Sequence, residues 1–552
     1  MFLSVGVLKV SGIIPEALSG RLFEAIRSSP HPYIFTFLDK GGDGEAVRYT
    51  PAALLTAAMA YGEKLSSLLG AQRRVLLCMD AGPECIVAIV AGVFHGITLV
   101  PLPLPLLQAE RQRLRNILDR DGGYPILCDE KAAHCFHEHD DLGRPVDILR
   151  IGLQALDVEA WQARDNRPPP PPADHPVIIQ YTSGSTGAPK GVVVTQRNLL
   201  ANFQLVAEEW RFSPGKSVLS WLPHYHDMGL FGGILFPLLG GMQIVVMRSG
   251  DFIRKPSRWL AAIDRYRINY SGGPAFAFQL CCERIDEQEL AGLDLSCWQV
   301  AFCGADYVSQ RVLDAFRVRF RVAGLQPRAV MACYGMAEYT LYVAGTRDWD
   351  EPTASRLDLD GSGYAGCRLG PGWEERIRIV PAAGKTQADA GAPGNIYISG
   401  ASASPGYLDG DLPVFVDVSG RWLDTGDLGF VQDGFLVVTG REKNMLTLHG
   451  RNLMVHDLAA SACEACDELN PLACVVFEHP EDQRLMMLIE GRSKSVVGQG
   501  IDIAAMRQKV YRDFGVSLKE IHIVGRGYMP RTSSGKVQVG QTISRFMQAR
   551  HE

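Results

Sequence analysis

The run Tyr181-Thr-Ser-Gly-Ser-Thr-Gly-Ala-Pro-Lys190-Gly191 constrains this chain most, because of what flanks it. Val177-Ile178-Ile179-Gln180-Tyr181 precedes it and Gly191-Val-Val-Val194 follows, two β-branched runs that read as strands. A flexible Ser/Gly linker would not sit between two such runs. Eleven positions hold four hydroxyls (Thr182, Ser183, Ser185 and Thr186), three glycines and one lysine. Gly184 and Gly187 let the backbone approach a polyanion and let successive N–H groups point inward. The hydroxyls add donors, and Lys190 adds a point charge. The stretch reads as a polyphosphate cradle. It is not a Walker-type loop, since only two residues separate Gly184 from Gly187 and Lys190 is followed by Gly191.

Around the cradle, helical and strand-like segments alternate. Thr50-Pro51 is an N-cap and first-turn pair, and the apolar positions after it fit an amphipathic helix through Leu69. Arg74–Met79 reads as a buried strand, Pro83–Phe94 as a helix and Thr98–Val100 as a strand. This alternation predicts a mostly parallel sheet flanked by helices. Arg167 and the five prolines after it form a stiff, extended connector into the cradle strand. Over residues 391–440 the pattern changes to short strands with Gly/Asp turns such as Gln432-Asp-Gly434, a small antiparallel β-subdomain. Roughly 110 residues then remain, a common size for a small α/β domain. The expected fold is α/β: a large N-terminal domain (residues 1–440) of helix-flanked, mostly parallel sheets plus the β-subdomain, then a small C-terminal domain (441–552).

At 552 residues and a net charge of −6, with no long basic run, the chain is a poor candidate for general nucleic-acid binding. Arg311, Arg317, Arg319 and Arg321 read as a solvated helix face, with an acidic protein partner as the lesser reading. Thirteen cysteines at irregular spacing point to reduced thiols and a cytoplasmic protein. The lone pair Cys463-Glu-Ala-Cys466 reads as structural. No basic region precedes the short apolar run at the N-terminus, so no secretory signal is expected. The apolar stretch Cys85–Leu106 is broken by Gly92, His95 and Gly96 and reads as a buried helix and strand rather than a transmembrane segment.

Five further segments carry chemistry: Trp221-Leu-Pro-His-Tyr-His226-Asp-Met228-Gly229-Leu230, Gly304-Ala305-Asp306, Tyr334-Gly335-Met336-Ala337-Glu338, Trp422-Leu-Asp-Thr425-Gly-Asp427 with Gly440-Arg441-Glu-Lys443, and Pro530-Arg-Thr-Ser-Ser-Gly535-Lys536. Tyr334 offers a flat face to a base. Asp427, an acceptor-only carboxylate, suits ribose hydroxyls. Arg441 suits ribose or phosphate, and Glu338 is a hard oxygen ligand suited to Mg²⁺. Each alone is commonplace, Asp427 as a turn residue and His226 as a hydrogen-bonded structural histidine. Together with the cradle, in this order, they resemble the adenylate-forming enzymes over roughly residues 30–540.

That resemblance implies ATP and Mg²⁺, with Thr182 and Glu338 near the metal and Lys190 with the cradle on the phosphates. It also implies a mobile C-terminal domain that rotates near Arg441–Asn444 and brings Lys536 onto the α-phosphate. Gly304, Ala305, Asp306 and Tyr334–Ala337 would line the nucleotide site. Within the family, His226-Asp-Met-Gly-Leu230, Ser271-Gly-Gly273-Pro274 with Phe276 and Phe278, and Cys333–Leu341 resemble fatty acyl-AMP ligases. These implicate His226, Met228, Gly229, Phe231, Gly273, Phe276 and Phe278 in holding a carboxylic acid, and an acyl carrier protein acting in trans as acceptor. Ordinary core packing remains the reading for at least half of the apolar ones. An acyl-CoA synthetase, an aryl- or amino-acid-activating enzyme and a nucleotide-binding pseudoenzyme are the alternatives. The chain departs from the family at Asn444, His449, Asn395 and Asp306-Tyr307, and its segment Tyr342–Gly366 is short for this branch.

Overall fold

A computed structural model describes residues 17–551, except 43, 122, 137–145, 157–168, 183–188, 306–307, 348, 350–363, 382–392, 418–419, 443–444, 449–450, 465, 467, 480–483, 497–499 and 532–536. The chain divides into two compact units: Met1–Asp358 with Cys367–Arg376 and Ile398–Leu423, and Leu359–Gly366 with Ile377–Tyr397 and Asp424–Glu552.

Among its described residues the first unit holds two large sheets. One has six strands in the order Ile148–Arg150, Ile126–Cys128, Arg74–Leu77, Thr98–Pro101, Pro176–Thr182, Lys190–Thr195. The first five run parallel and the last is antiparallel. The other has seven, in the order Val330–Ala332, Val300–Cys303, Tyr270–Gly273, Ser217–Ser220, Gln243–Met247, Phe35–Leu38, Ala46–Tyr49. Its pairings are parallel except for the edge strand Ala46–Tyr49. Parallel strands covered on both faces read as unbroken apolar runs, which made them legible in the sequence.

The helices follow the same logic. In Pro51–Leu69, Thr50 Oγ1 accepts from Ala53 N–H at 3.1 Å and Pro51 takes the first turn, as expected. Helix Pro83–His95 is buried from Cys85 to Phe94, and its carbonyl ladder closes on Gly96 in the left-handed region. The apolar stretch expected to be a buried helix and strand is that. No helix among the described residues is long and apolar enough to cross a membrane. All thirteen cysteines are free thiols. The arginine face is less solvated than expected. Arg317 donates to Val330 O and pairs with Asp314, and Arg319 reaches Ile285 O and Glu287.

The second unit pairs Asp427–Gln432 with Phe435–Arg441 antiparallel. The two-residue turn between them has Asp433 at φ 49° and Gly434 at φ 77°, the left-handed pair a tight hairpin needs. A sheet of Leu469–Glu478, Leu485–Gly491 and Glu520–Val524 follows, with helices Val455–Cys463, Ile503–Phe514 and Val539–His551. Within this unit Tyr364 Oη donates to both Asp457 oxygens, at 2.9 and 3.0 Å, and lies 2.9 Å from His456 Nε2.

Burial pushes Asp457 from its usual 3.8 up to about 6. Its pKa in the folded protein is therefore raised, so the stability it confers is complete below about pH 4 and lost as pH rises through about 6. Asp457→Asn is expected to remove that loss. It should stabilise this unit near pH 7 by on the order of 2 kcal/mol relative to the parent and leave it unchanged near pH 4. Thermal unfolding of the two proteins across that window checks this. Parallel pH curves would refute it.

Candidate active site

The cradle crowns a hairpin rather than a strand–helix turn. Thr182 lies opposite Lys190 across the antiparallel pair, and Thr182 Oγ1 is 3.5 Å from Lys190 O. Ser183, Gly184, Ser185, Thr186 and Gly187 lie outside the described residues. Helix Gln108–Asp121 grips both legs of the hairpin. Arg113 Nη2 donates to Tyr181 O at 3.0 Å, and Arg120 Nη1 donates to Pro189 O at 3.1 Å. Arg120 is itself held by Asp409 at 2.6 Å.

Tyr334–Gly335 pairs antiparallel with Tyr342–Ala344. A Cβ on Gly335 would stand 1.9 Å from the carbonyl oxygen of Leu341, so no side chain fits there. Met336 and Ala337 are buried, and the short turn Ala337–Tyr339 ends on Thr340 at φ 70°. This turn presents Glu338, whose Oε1 accepts from Tyr407 Oη at 3.0 Å. The ring of Tyr407 in turn lies 5.0 Å from Lys190 Nζ. The cation of the hairpin and the carboxylate of the Tyr-Gly-Met-Ala-Glu segment thus meet the same tyrosine.

Gly304 N donates to Gly273 O at 3.3 Å, and a Cβ on Gly304 would come within 2.6 Å of Cys333 Sγ. Ala305 is left-handed at φ 72°. Asp306 lies outside the described residues.

The His226 segment leads into a π-helix, Met228–Leu235, whose first N–H is capped by Asp227 Oδ1 at 2.8 Å. Wide helical turns of this kind are rare and recur at functional sites. Two close approaches demand glycine. A Cβ on Gly229 would be 2.1 Å from Pro223 O, and one on Gly233 would be 2.4 Å from Ser220 Oγ. His226 stands half-buried with its ring 5.1 Å from that of Tyr225. The apolar candidates divide. Phe231 and Phe278 are wholly buried, Phe278 against Trp259 and Phe316 at 5.7 and 4.9 Å. Met228 and Phe276 are half-buried, with Phe276 edge-on to Trp221 at 6.1 Å and Gly273 beneath the same indole.

In the second unit Asp427 and Arg441 are cross-strand neighbours, and Arg441 Nε donates to Asp427 Oδ1 at 2.9 Å. Asp427 is buried, while Arg441 is nearly half exposed. Asp427 N–H is held by Thr425 Oγ1 at 3.0 Å. Lys536, Lys443, Asn444 and His449 lie outside the described residues. The flanks of the Lys536 segment are anchored. Arg531 bridges to Val537, and Gln538 N donates to Pro530 O at 2.8 Å. The buried carboxylate of Glu490 accepts from Gly527 N, Met529 N and Arg531 Nη2 at 3.1, 2.8 and 3.0 Å.

The sequence model of the AMP-binding enzyme family matches residues 24–408, well over half of the chain. The chain belongs to the AMP-binding enzyme family. It is 28% identical to the medium-chain-fatty-acid–[acyl-carrier-protein] ligase TtuA of Teredinibacter turnerae, over 96% of this chain and 93% of TtuA. It is also 28% identical to the long-chain-fatty-acid–AMP ligase FadD28 of Mycobacterium tuberculosis, over 97% and 98%. A structure solved in a study of fatty acyl-adenylate ligases from E. coli and L. pneumophila superposes with a TM-score of 0.80 at 29% identity, covering 97% and 98% of the two chains. The α/β architecture expected from the sequence is that of this family.

In this AMP-binding enzyme the residues that sequence reasoning missed are supports. Tyr407, Arg113, Arg120 and Glu490 hold expected residues, or the backbone beside them, in place. Only the dipeptide Gly406-Tyr407, after a Ser/Pro turn, could have flagged one of them. The donor set fits Mg²⁺ carried by a nucleotide. No cluster of three or more His, Cys, Asp or Glu side chains that could hold a metal occurs among the described residues. Mg²⁺ commonly takes one or two protein carboxylates and leaves its other positions to phosphate and water. Glu338, whose Oε1 meets Tyr407 beside Lys190, would offer one such carboxylate.

Proposed function

We propose that this AMP-binding enzyme activates a fatty acid with ATP and passes the acyl group to an acyl carrier protein. The observation that carries the reading is the placement of Lys190 and Glu338 on one tyrosine at the mouth of the hairpin, a cation and a hard carboxylate fit for a metal-bound polyphosphate. The names of the relatives TtuA and FadD28 supply the acid class, and TtuA supplies the acceptor.

The acid's carboxylate oxygen attacks the α-phosphorus of ATP, the bond to the bridging oxygen breaks, and pyrophosphate leaves with its electron pair. Lys190 and the cradle residues Thr182–Gly187 hold the phosphates that depart. Mg²⁺, when bound at Glu338, neutralises phosphate charge. Tyr334 packs on adenine, with Gly304–Asp306 and Gly335–Ala337 around it, and Asp427 and Arg441 take the ribose. Lys536 faces the charge that develops at the α-phosphate. His226, Met228, Gly229, Gly273 and Phe276 border the acid, with Phe231 and Phe278 behind them. The carrier's phosphopantetheine sulfur then attacks the acyl carbon, its proton is lost to solvent, and AMP leaves. Residues 441–552 act as the mobile lid between the two steps. No side-chain nucleophile is needed; positioning and charge neutralisation carry the chemistry.

Pyrophosphate exchange and hydroxamate trapping over fatty, aryl and amino acids test the first step. Fatty acids are expected to support it, and failure of every acid would end the enzymatic reading. With the best acid, a holo-carrier protein is expected to be acylated faster than coenzyme A. Equal rates would overturn the choice of acceptor.

A further inference from the structure

We infer that Tyr407 is a positioning residue. It orients Glu338 for the metal and keeps Lys190 from collapsing onto that carboxylate. The inference deepens the adenylation reading and rests on it.

Tyr407 sits on a short segment laid along the cradle hairpin. Val192 and Tyr407 form an antiparallel bridge, Leu408 N donates to Gly191 O at 2.7 Å, and Val193 N donates to Gly406 O at 3.1 Å. The same segment fixes the turn that bears Glu338, because Ser404 N donates to Glu338 O at 2.8 Å while Ser404 Oγ donates to Val193 O at 2.7 Å. One stretch of backbone therefore references the lysine strand and the glutamate turn to each other. Tyr407 then completes the link through its side chain, with its hydroxyl on Glu338 Oε1 at 3.0 Å and its ring 5.0 Å from Lys190 Nζ.

The chemistry needs such a device. A lysine and a glutamate placed for the same polyphosphate attract each other, and a direct ion pair would neutralise both before the nucleotide arrives. The ring offers the ammonium a π face in place of a carboxylate. The hydroxyl donates to one carboxylate oxygen and so turns the other outward. A phenylalanine keeps the first function and loses the second; a leucine loses both.

The test is nucleotide binding, read by calorimetry at a series of Mg²⁺ concentrations. Tyr407→Phe is expected to raise the Mg²⁺ concentration for half-maximal ATP binding by about tenfold, the loss of one charge-assisted hydrogen bond. Metal-free ATP binding should stay within about twofold, since the ring still faces Lys190. Tyr407→Leu should also weaken metal-free binding.

A double-mutant cycle with Glu338→Gln separates positioning from general damage. If Tyr407 acts through Glu338, adding Tyr407→Phe to the Glu338→Gln variant changes the Mg²⁺ dependence no further. Full additivity, or an unchanged Mg²⁺ profile in Tyr407→Phe, overturns the inference. If the parent protein binds ATP with no Mg²⁺ dependence at all, the adenylation reading fails first. A Mg²⁺-dependent parent with an unaffected Tyr407→Phe variant sinks only the role of Tyr407.

Discussion

With alanine in place of Lys536, acyl-adenylate formation is expected to fall on the order of a hundredfold or more while ATP still binds. The size follows from what a lone cation does at a phosphoryl centre. Charge builds on the α-phosphate oxygens only as the acid attacks and pyrophosphate departs. An ammonium placed there stabilises the transition state more than the ground state, so its loss appears in the chemical step. The anchors flanking Lys536 agree with a segment whose placement matters. Arg531 is pinned by the buried carboxylate of Glu490, which also takes the N–H groups of Gly527 and Met529. A surface lysine on a free loop would need no such base. Single-turnover hydroxamate trapping reports the chemical step, and displacement of a fluorescent ATP analogue reports binding. Normal adenylate formation by Lys536→Ala would remove the role assigned to it, and equal loss of ATP binding would make it a ground-state contact instead.

The parts legible in the sequence were those whose causes are local. Helix Pro51–Leu69 announced its own cap at Thr50, and the Asp433-Gly434 turn announced its hairpin. Buried parallel strands such as Thr98–Pro101 announced themselves by unbroken apolar runs. The chemical segments stand out in the sequence because each packs its hydroxyls, glycines or charges within a few residues.

What escaped was long-range. Tyr407 reaches Glu338 across 69 positions, and the dipeptide Gly406-Tyr407 marks the tyrosine without showing what it touches. Arg317 and Arg319 looked like a solvated stripe because helical spacing cannot show which carbonyls lie opposite. Phe276 and Phe278 are two residues apart, yet one is half-buried beside Trp221 and the other is sealed among Trp259 and Phe316. Glu209 is the extreme case. It ends helix Gln196–Glu209, and the folded chain brings Tyr342, Thr346, Trp349 and Arg376 to it from far along the sequence.

Arg376→Leu should therefore cost about 3–5 kcal/mol. Arg376 Nη2 meets Glu209 Oε1 at 3.0 Å, with the glutamate side chain 6% exposed and the arginine 17%. Burial raises the pKa of Glu209, while Tyr342 and Arg376 pull it back down. Without Arg376 the carboxylate keeps the desolvation and loses its cation, so its pKa climbs further. A carboxylate with a raised pKa loses stability as pH rises, so the deficit should be larger near pH 8 than near pH 5. Exchanging both partners, Glu209→Gln with Arg376→Leu, should restore most of the loss, because no buried charge is left alone.

All eight tryptophans lie in the unit that holds this pair, so tryptophan fluorescence during denaturation reports that unit. A single Arg376→Leu deficit below about 1 kcal/mol, the range of exposed pairs, would show that solvent reaches the site and that the pair is ornamental. A large deficit would reach the chemistry as well. Tyr342, which donates to Glu209, is the strand partner of Gly335, and Gly335 is three residues from Glu338. The ion pair and the candidate metal ligand thus share one short stretch of backbone. Loss of the first should loosen the second before the unit unfolds.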